Sequence, residues 1–333
     1  MTAVIETEIG TKAPRSTPKS EIKLSGGVLT TVWAAFVVSA LLLMGVIDAS
    51  WYSEVIVATA VALALACVTV RPLRRPLRWS AFRPDRSDLL AIGGLYVVVV
   101  GLFRLAFGFF TPNRAIGLFL AFGGALVAGV VGPIAYTVVW RHRPLSSLGL
   151  GFHRWRSTVA LGLLFASVQF SITLWGYDLP SAIDWVPLLV MSVAVGLFEA
   201  LFFRGFVQSG LQRSFGTVPA VLGAAALYGA YHVGYGMEGS EILFLFGLGV
   251  VYAVAYRLTE NVLILWPLLT PLGSFFANLE AGDLAGELPW ASILGFADVL
   301  GLMALGIWLA RKYERGRSRA PLLVGGRSQE ARR

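Results

Sequence analysis

The sequence predicts an all-α fold, a polytopic transmembrane helical bundle of about ten spans with both termini cytoplasmic. Three observations lead there. The chain is 56% hydrophobic and only 14% charged, where a soluble domain carries about a quarter charged residues. Its apolar runs are repeatedly long enough to cross a bilayer. The loops between those runs alternate between basic and acidic.

Residues 1–26 are polar and Lys-bearing and read as a cytoplasmic tail. The apolar run that follows is longer than a signal-peptide core, so it is expected to stay as a first anchor. Candidate spans lie near 27–47, 54–70, 89–110, 115–140, 158–177, 185–211, 218–235, 241–257, 261–279 and 290–310. They divide into a four-span region, 27–157, and a six-span region, 158–310, before a basic cytoplasmic tail at 311–333. Small residues four apart, such as Gly124 and Ala128, Ala125 and Gly129, and Gly249 and Ala253, let helices approach closely. Trp33, Trp51, Trp140, Trp266, Trp290 and Trp308 mostly fall near span ends, as interfacial anchors do.

The loops orient the spans. Arginines 71, 74, 75, 78, 83 and 86 follow the second span, and 141, 143, 154 and 156 the fourth. Arg213 follows the sixth, Arg257 the eighth, and Arg311, Lys312, Arg315, Arg317 and Arg319 the tenth. Acidic residues follow the odd-numbered spans, among them Asp48, Asp178, Glu238 and Glu280, except after the third, where Arg114 is basic. Cytoplasmic loops hold the excess of Lys and Arg, which puts both termini inside. The net charge of +8 is thereby a matter of topology and implies no nucleic-acid partner. The partners expected are the lipid bilayer and hydrophobic or membrane-anchored peptides, with a multi-pass location in the cell membrane. The single Cys67 lies in an apolar span and offers no disulfide framework.

Function is sought at polar residues of membrane depth. Glu199 and Arg204 interrupt the apolar run 188–210, and an ionised group at the bilayer centre costs about 2.5–3.5 kcal/mol on the insertion scale. At about 1.5 Å per residue, Glu199 and His232 lie roughly 21 and 22 Å from the cytoplasmic side. Ser274 and Asn278 come out at roughly 21 and 27 Å on the same rise. Three helices thus bring a carboxylate, an imidazole, a hydroxyl and an amide to one layer. Glu199 and His232 could activate water, while Ser274 and Asn278, one turn apart, could donate to an oxyanion. The structural alternative is that these groups only tie helices together. Metal binding is a poor fit: His142 and His153 lie in a loop among arginines, and catalytic zinc takes three protein ligands. Only Glu199 and His232, with Asn278, come into question, and no cofactor is expected.

These residues resemble the CPBP intramembrane proteases, which include CAAX-type prenyl endopeptidases and Abi-like, bacteriocin-related proteins. The family pattern is E-E-x-x-x-R, then F-x-x-x-H, then H-x-x-x-N. Glu199-Ala-Leu-Phe-Phe-Arg204, Tyr228-Gly-Ala-Tyr-His232 and Ser274-Phe-Phe-Ala-Asn278 stand in those places, within about 185–280. The resemblance implies an intramembrane endopeptidase in which Glu199 and His232 activate water and Asn278, with Ser274, stabilises the oxyanion. Zinc is possible by resemblance alone.

Two positions depart from the pattern, Ala200 for the second Glu and Ser274 for the third-motif His. Without a carboxylate at 200, Arg204 is expected to turn to Glu199, which would make it a poorer base, or to another helix. Asp298 in the tenth span is a candidate, with Arg104 as a competitor. The second reading is therefore a catalytically inactive relative that binds membrane peptides or partners in the same cavity.

Overall fold

The computed structural model describes residues 84–110, 114–151, 155–174 and 181–281, with residue 179 and isolated positions between 297 and 308. The first two expected spans, both tails, most of the tenth span and Asp298 lie outside the described residues. Every regular element among the described residues is helical. Among the described residues, four helices are long and apolar enough to cross a membrane: Arg86–Phe109, Ala115–Trp140, Leu188–Phe215 and Glu241–Thr259.

We number the helices α1 (86–109), α2 (114–140), α3 (Trp155–Thr173), α4 (182–215), α5 (Thr217–Tyr231), α6 (Gly239–Thr259) and α7 (Leu269–Ala281). They cover the third to ninth expected runs. Long stretches of α1, α2 and α4 are wound as π-helix: Leu105–Phe109, Gly123–Val131, Tyr136–Trp140 and Glu199–Gln208. Such wide turns bond i to i+5 and recur at functional sites.

One expected element is corrected. The run 261–279 is not a continuous helix, because a short 3-10 turn at Val262–Ile264 precedes α7, which starts only at Leu269. Pro267 is the physical reason: it lacks an N–H and turns the preceding residue away from helical geometry. Asn261 anchors the broken stretch by accepting from the Leu263 N–H and donating to the Gly151 carbonyl, both at 2.9 Å.

Small residues set the contacts between helices, as their spacing predicts. A side chain at Gly249 of α6 would meet the Tyr228 ring at 3.0 Å, and one at Gly196 of α4 would meet Pro271 of α7 at 2.7 Å. Thr270 donates to the Gly196 carbonyl at 2.9 Å and fixes α7 on α4. The core is aromatic and aliphatic, with Phe103, Phe122, Phe198, Phe202, Phe203 and Tyr231 fully enclosed.

Charges gather at one end of the bundle. Asp88 at the start of α1 is buried and accepts from Arg143 at 2.7 Å, from Arg213 at 3.1 Å and from the Tyr136 hydroxyl at 3.0 Å. Arg141 pairs with both Asp85 and Asp88. The start of α1 and the ends of α2 and α4 therefore meet, and these are three ends that the charge alternation assigns to one side of a membrane. Removing one partner from a buried ionic network leaves uncompensated charge and costs about 3–5 kcal/mol. Asp88→Ala is accordingly expected to lower the unfolding midpoint sharply in detergent. An unchanged midpoint would show that the three arginines are held by other groups.

Candidate functional site

The candidate site forms where the π-helical part of α4 meets the end of α5. Glu199 is the first π-helical residue of α4, and both it and Arg204 are buried. On α5, Tyr228, Tyr231 and His232 stand at i, i+3 and i+4, so one helical face carries all three. The helix ends there: His232–Tyr235 tightens into a 3-10 turn, and Gly236 closes it at φ +86°, a conformation glycine adopts without strain.

Glu199 is surrounded by donors from that face. The Tyr231 hydroxyl makes a short hydrogen bond to Oε1, and the Tyr228 hydroxyl donates to Oε2 at 3.4 Å. His232 Nε2 lies 3.9 Å from Oε1. The other ring nitrogen, Nδ1, is 2.9 Å from the Tyr228 carbonyl. A carbonyl only accepts, so Nδ1 carries a proton and Nε2 is the nitrogen turned toward the carboxylate. The Tyr231 and His232 rings lie 4.0 Å apart by centroid, and Tyr231 also packs 4.9 Å from Phe203. The hydroxyl that meets Glu199 is thus held by its own ring's packing.

Arg204 takes the second of the two courses expected for it and turns to another helix. Among the described residues it forms no ion pair with Glu199, and its two terminal nitrogens have no hydrogen-bond partner. Its guanidinium lies instead 5.0 Å above the Tyr228 ring, an arrangement in which the ring face attracts the cation. A carboxylate at 200 is therefore not needed to free Glu199 from Arg204. Asp298, the other expected partner, lies outside the described residues.

The expected layer is brought together in part. Glu199, His232, Tyr228 and Arg204 converge. Ser274 lies on α7, half-buried, and among the described residues no hydrogen bond joins it to Glu199 or His232. α7 runs through position 278, but the Asn278 side chain lies outside the described residues. Tyr231 was missed by the sequence reading. A phenol in an apolar helix is ordinarily core, yet its place beside His232 and three residues after Tyr228 was a usable signal.

For zinc the donors are few. Among the described residues no group of three His, Cys, Asp or Glu comes together, and Glu199 has one imidazole and two phenols as neighbours. That set falls short of the three protein ligands of catalytic zinc.

The hydrogen bonds to Glu199 set an order of stability. Bonds to charged groups contribute about 1.5–3 kcal/mol and weaken with length. Tyr231→Phe is expected to destabilise the protein more than Tyr228→Phe, because the Tyr228 bond is the longer one. Unfolding in detergent measures both, and the reverse order would show that Tyr231 does not hold the carboxylate.

Among curated proteins and among solved structures, no match to the chain is found. A protein-family model does match. It is described as type II CAAX prenyl endopeptidase Rce1-like, and it covers residues 180–269, well under half of the chain. The matched stretch contains Glu199, Arg204, Tyr228 and His232 and stops short of Ser274 and Asn278. Over residues 180–269 the chain is thus a match to the Rce1-like family of CAAX proteases, within the CPBP group.

Proposed function

We propose that the protein is an intramembrane endopeptidase that hydrolyses a peptide bond of a hydrophobic or membrane-associated peptide, using water activated by Glu199. The single observation that carries this reading is the approach of Glu199 Oε1 and His232 Nε2 to 3.9 Å. Two acceptors that close can share one water, each taking one of its hydrogens. The match to a family of membrane proteases supports the same chemistry.

The reaction follows from those roles. The water oxygen attacks the scissile carbonyl carbon as its proton passes to Glu199, a general base held in a site largely closed to solvent. The negative charge moves to the carbonyl oxygen, where Asn278 and Ser274 are the proposed donors. As the C–N bond breaks, Glu199 returns the proton to the leaving amine. His232 keeps the attacking water oriented. Its own ring is fixed by the Tyr228 carbonyl, so it need not reorganise during the step. The substrate would arrive from the bilayer, in a multi-pass protein of the cell membrane.

One observation favours the second reading, a non-catalytic relative that binds peptides or partners. The Tyr231 hydroxyl is already bonded to Oε1, the oxygen that faces His232. A carboxylate oxygen accepts more than one hydrogen bond, so the phenol and a water can share it, and the peptidase reading stands ahead.

Glu199→Gln and His232→Ala are each expected to reduce cleavage of a membrane-anchored peptide by at least a hundredfold while the protein stays folded. Gln keeps the size of the side chain and removes the base. Turnover at the parent rate by either variant would refute the mechanism. Cleavage is further expected to persist in the presence of chelators. Inhibition that zinc reverses would assign a metal to the site.

A further inference from the structure

Three buried polar atoms lie along α4 without partners among the described residues: both terminal nitrogens of Arg204 and Oε1 of Gln208. Gln208 is fully buried, and its amide nitrogen donates to the Ala253 carbonyl of α6 at 2.8 Å. Buried polar groups are satisfied as a rule, and an exception calls for an explanation.

The π-helix brings these atoms into line with Glu199. At 100° per residue, an α-helix would turn positions 204 and 208 roughly 140° and 180° away from position 199. A π-helix, with roughly 4.4 residues per turn, keeps all three within roughly 50°. Further polar groups follow on other faces of α4. Ser209 lies 3.1 Å from the Tyr256 hydroxyl, and Arg213, at the charged end of the bundle, is more exposed. One buried polar face therefore runs from Glu199 to Gln208, toward that end.

The unpartnered atoms define what fits between them. The Arg204 nitrogens need an acceptor, and Gln208 Oε1 needs a donor. An anion would serve only the first and a cation only the second, while Glu199 already supplies a counter-charge. Water serves both. We propose that the buried face of α4 from Glu199 to Gln208 is hydrated, with Arg204 and Gln208 holding internal water, and that the water consumed at Glu199 is delivered from this internal store. The delivery role rests on the hydrolytic reading above; the hydration does not.

X-ray hydroxyl-radical footprinting tests this on the full chain in lipid nanodiscs, because radicals form from internal water and label side chains beside it. Tyr228 and Tyr252 are buried; Arg204 lies over the Tyr228 ring, and the Tyr252 ring is 6.4 Å from that ring by centroid. Both are expected to be oxidised several-fold faster than buried Phe122, after correction for ring reactivity. Equal protection of all three overturns the proposal. Gln208→Leu is expected to cut labelling of the two tyrosines at least threefold while Phe122 stays protected, and Gln208→Met serves if Leu is not tolerated. Unchanged tyrosine labelling in the folded variant likewise overturns it. The measurement needs no substrate, so dry tyrosines in a protein that turns over would sink this inference and leave the peptidase reading intact.

Discussion

The buried carboxylate of Glu199 is the constraint from which the rest of the site follows. A carboxylate removed from water must find donors, and their absence costs more than their presence gains. Both phenols and the nearby imidazole come from one face of α5. That face reaches Glu199 only if α5 lies close to the π-helical part of α4. Close approach in turn demands small side chains behind the site. A methyl at Gly249 of α6 would meet Tyr228 and Ala225 of α5 at 3.0 and 3.2 Å, and one at Gly229 would strike the Ile242 carbonyl at 2.8 Å. The small residues that read as generic membrane packing are what allow the donors to reach the acid.

Glu199 and His232 were legible in the sequence because charge and imidazole are rare at membrane depth, and counting rise per residue placed them level. Tyr231 was harder to read, since in a helix rich in aromatic residues only its place beside His232 and three residues after Tyr228 singles out one phenol. That Arg204 would turn to another helix was legible, but the group that meets it there was not, for a related reason. A charge was sought for a charge, whereas the structure offers the face of Tyr228, and faces of rings leave no mark in a sequence. The break before α7 could have been read from Pro267, but hydropathy averages over a proline and reports only an apolar run. The wide turns of α4 lay beyond reach altogether, because nothing in Glu199–Gln208 distinguishes a π-helix from an α-helix in composition.

Tyr228 is where these strands meet. Its hydroxyl donates to Glu199, its ring face carries the Arg204 cation, and its carbonyl accepts from His232. One residue thus touches the proposed base, the imidazole and the buried cation through three different groups. The family pattern has Phe in this place, which would keep the ring face and the backbone carbonyl but lose the hydroxyl. The added hydroxyl offsets part of the desolvation of Glu199.

The substitution at 200 bears on the same balance. A pattern with two carboxylates and one arginine carries a formal net charge of −1 into the membrane. With Ala200 the layer holds one carboxylate and one guanidinium, and their formal charges cancel. Cancelled charge lowers the cost of burial even without contact, because Coulomb attraction is long-ranged where the dielectric is low. The Tyr228 ring between them then fixes their separation. Arg204 balances the acid without gripping it, and Glu199 keeps its lone pairs for phenols and for water. A direct Arg–Glu pair would have neutralised the layer equally well while occupying the acceptor that the proposed hydrolysis needs. Ala200 is therefore compatible with a working base, and the departure from the family pattern does not by itself mark an inactive protein.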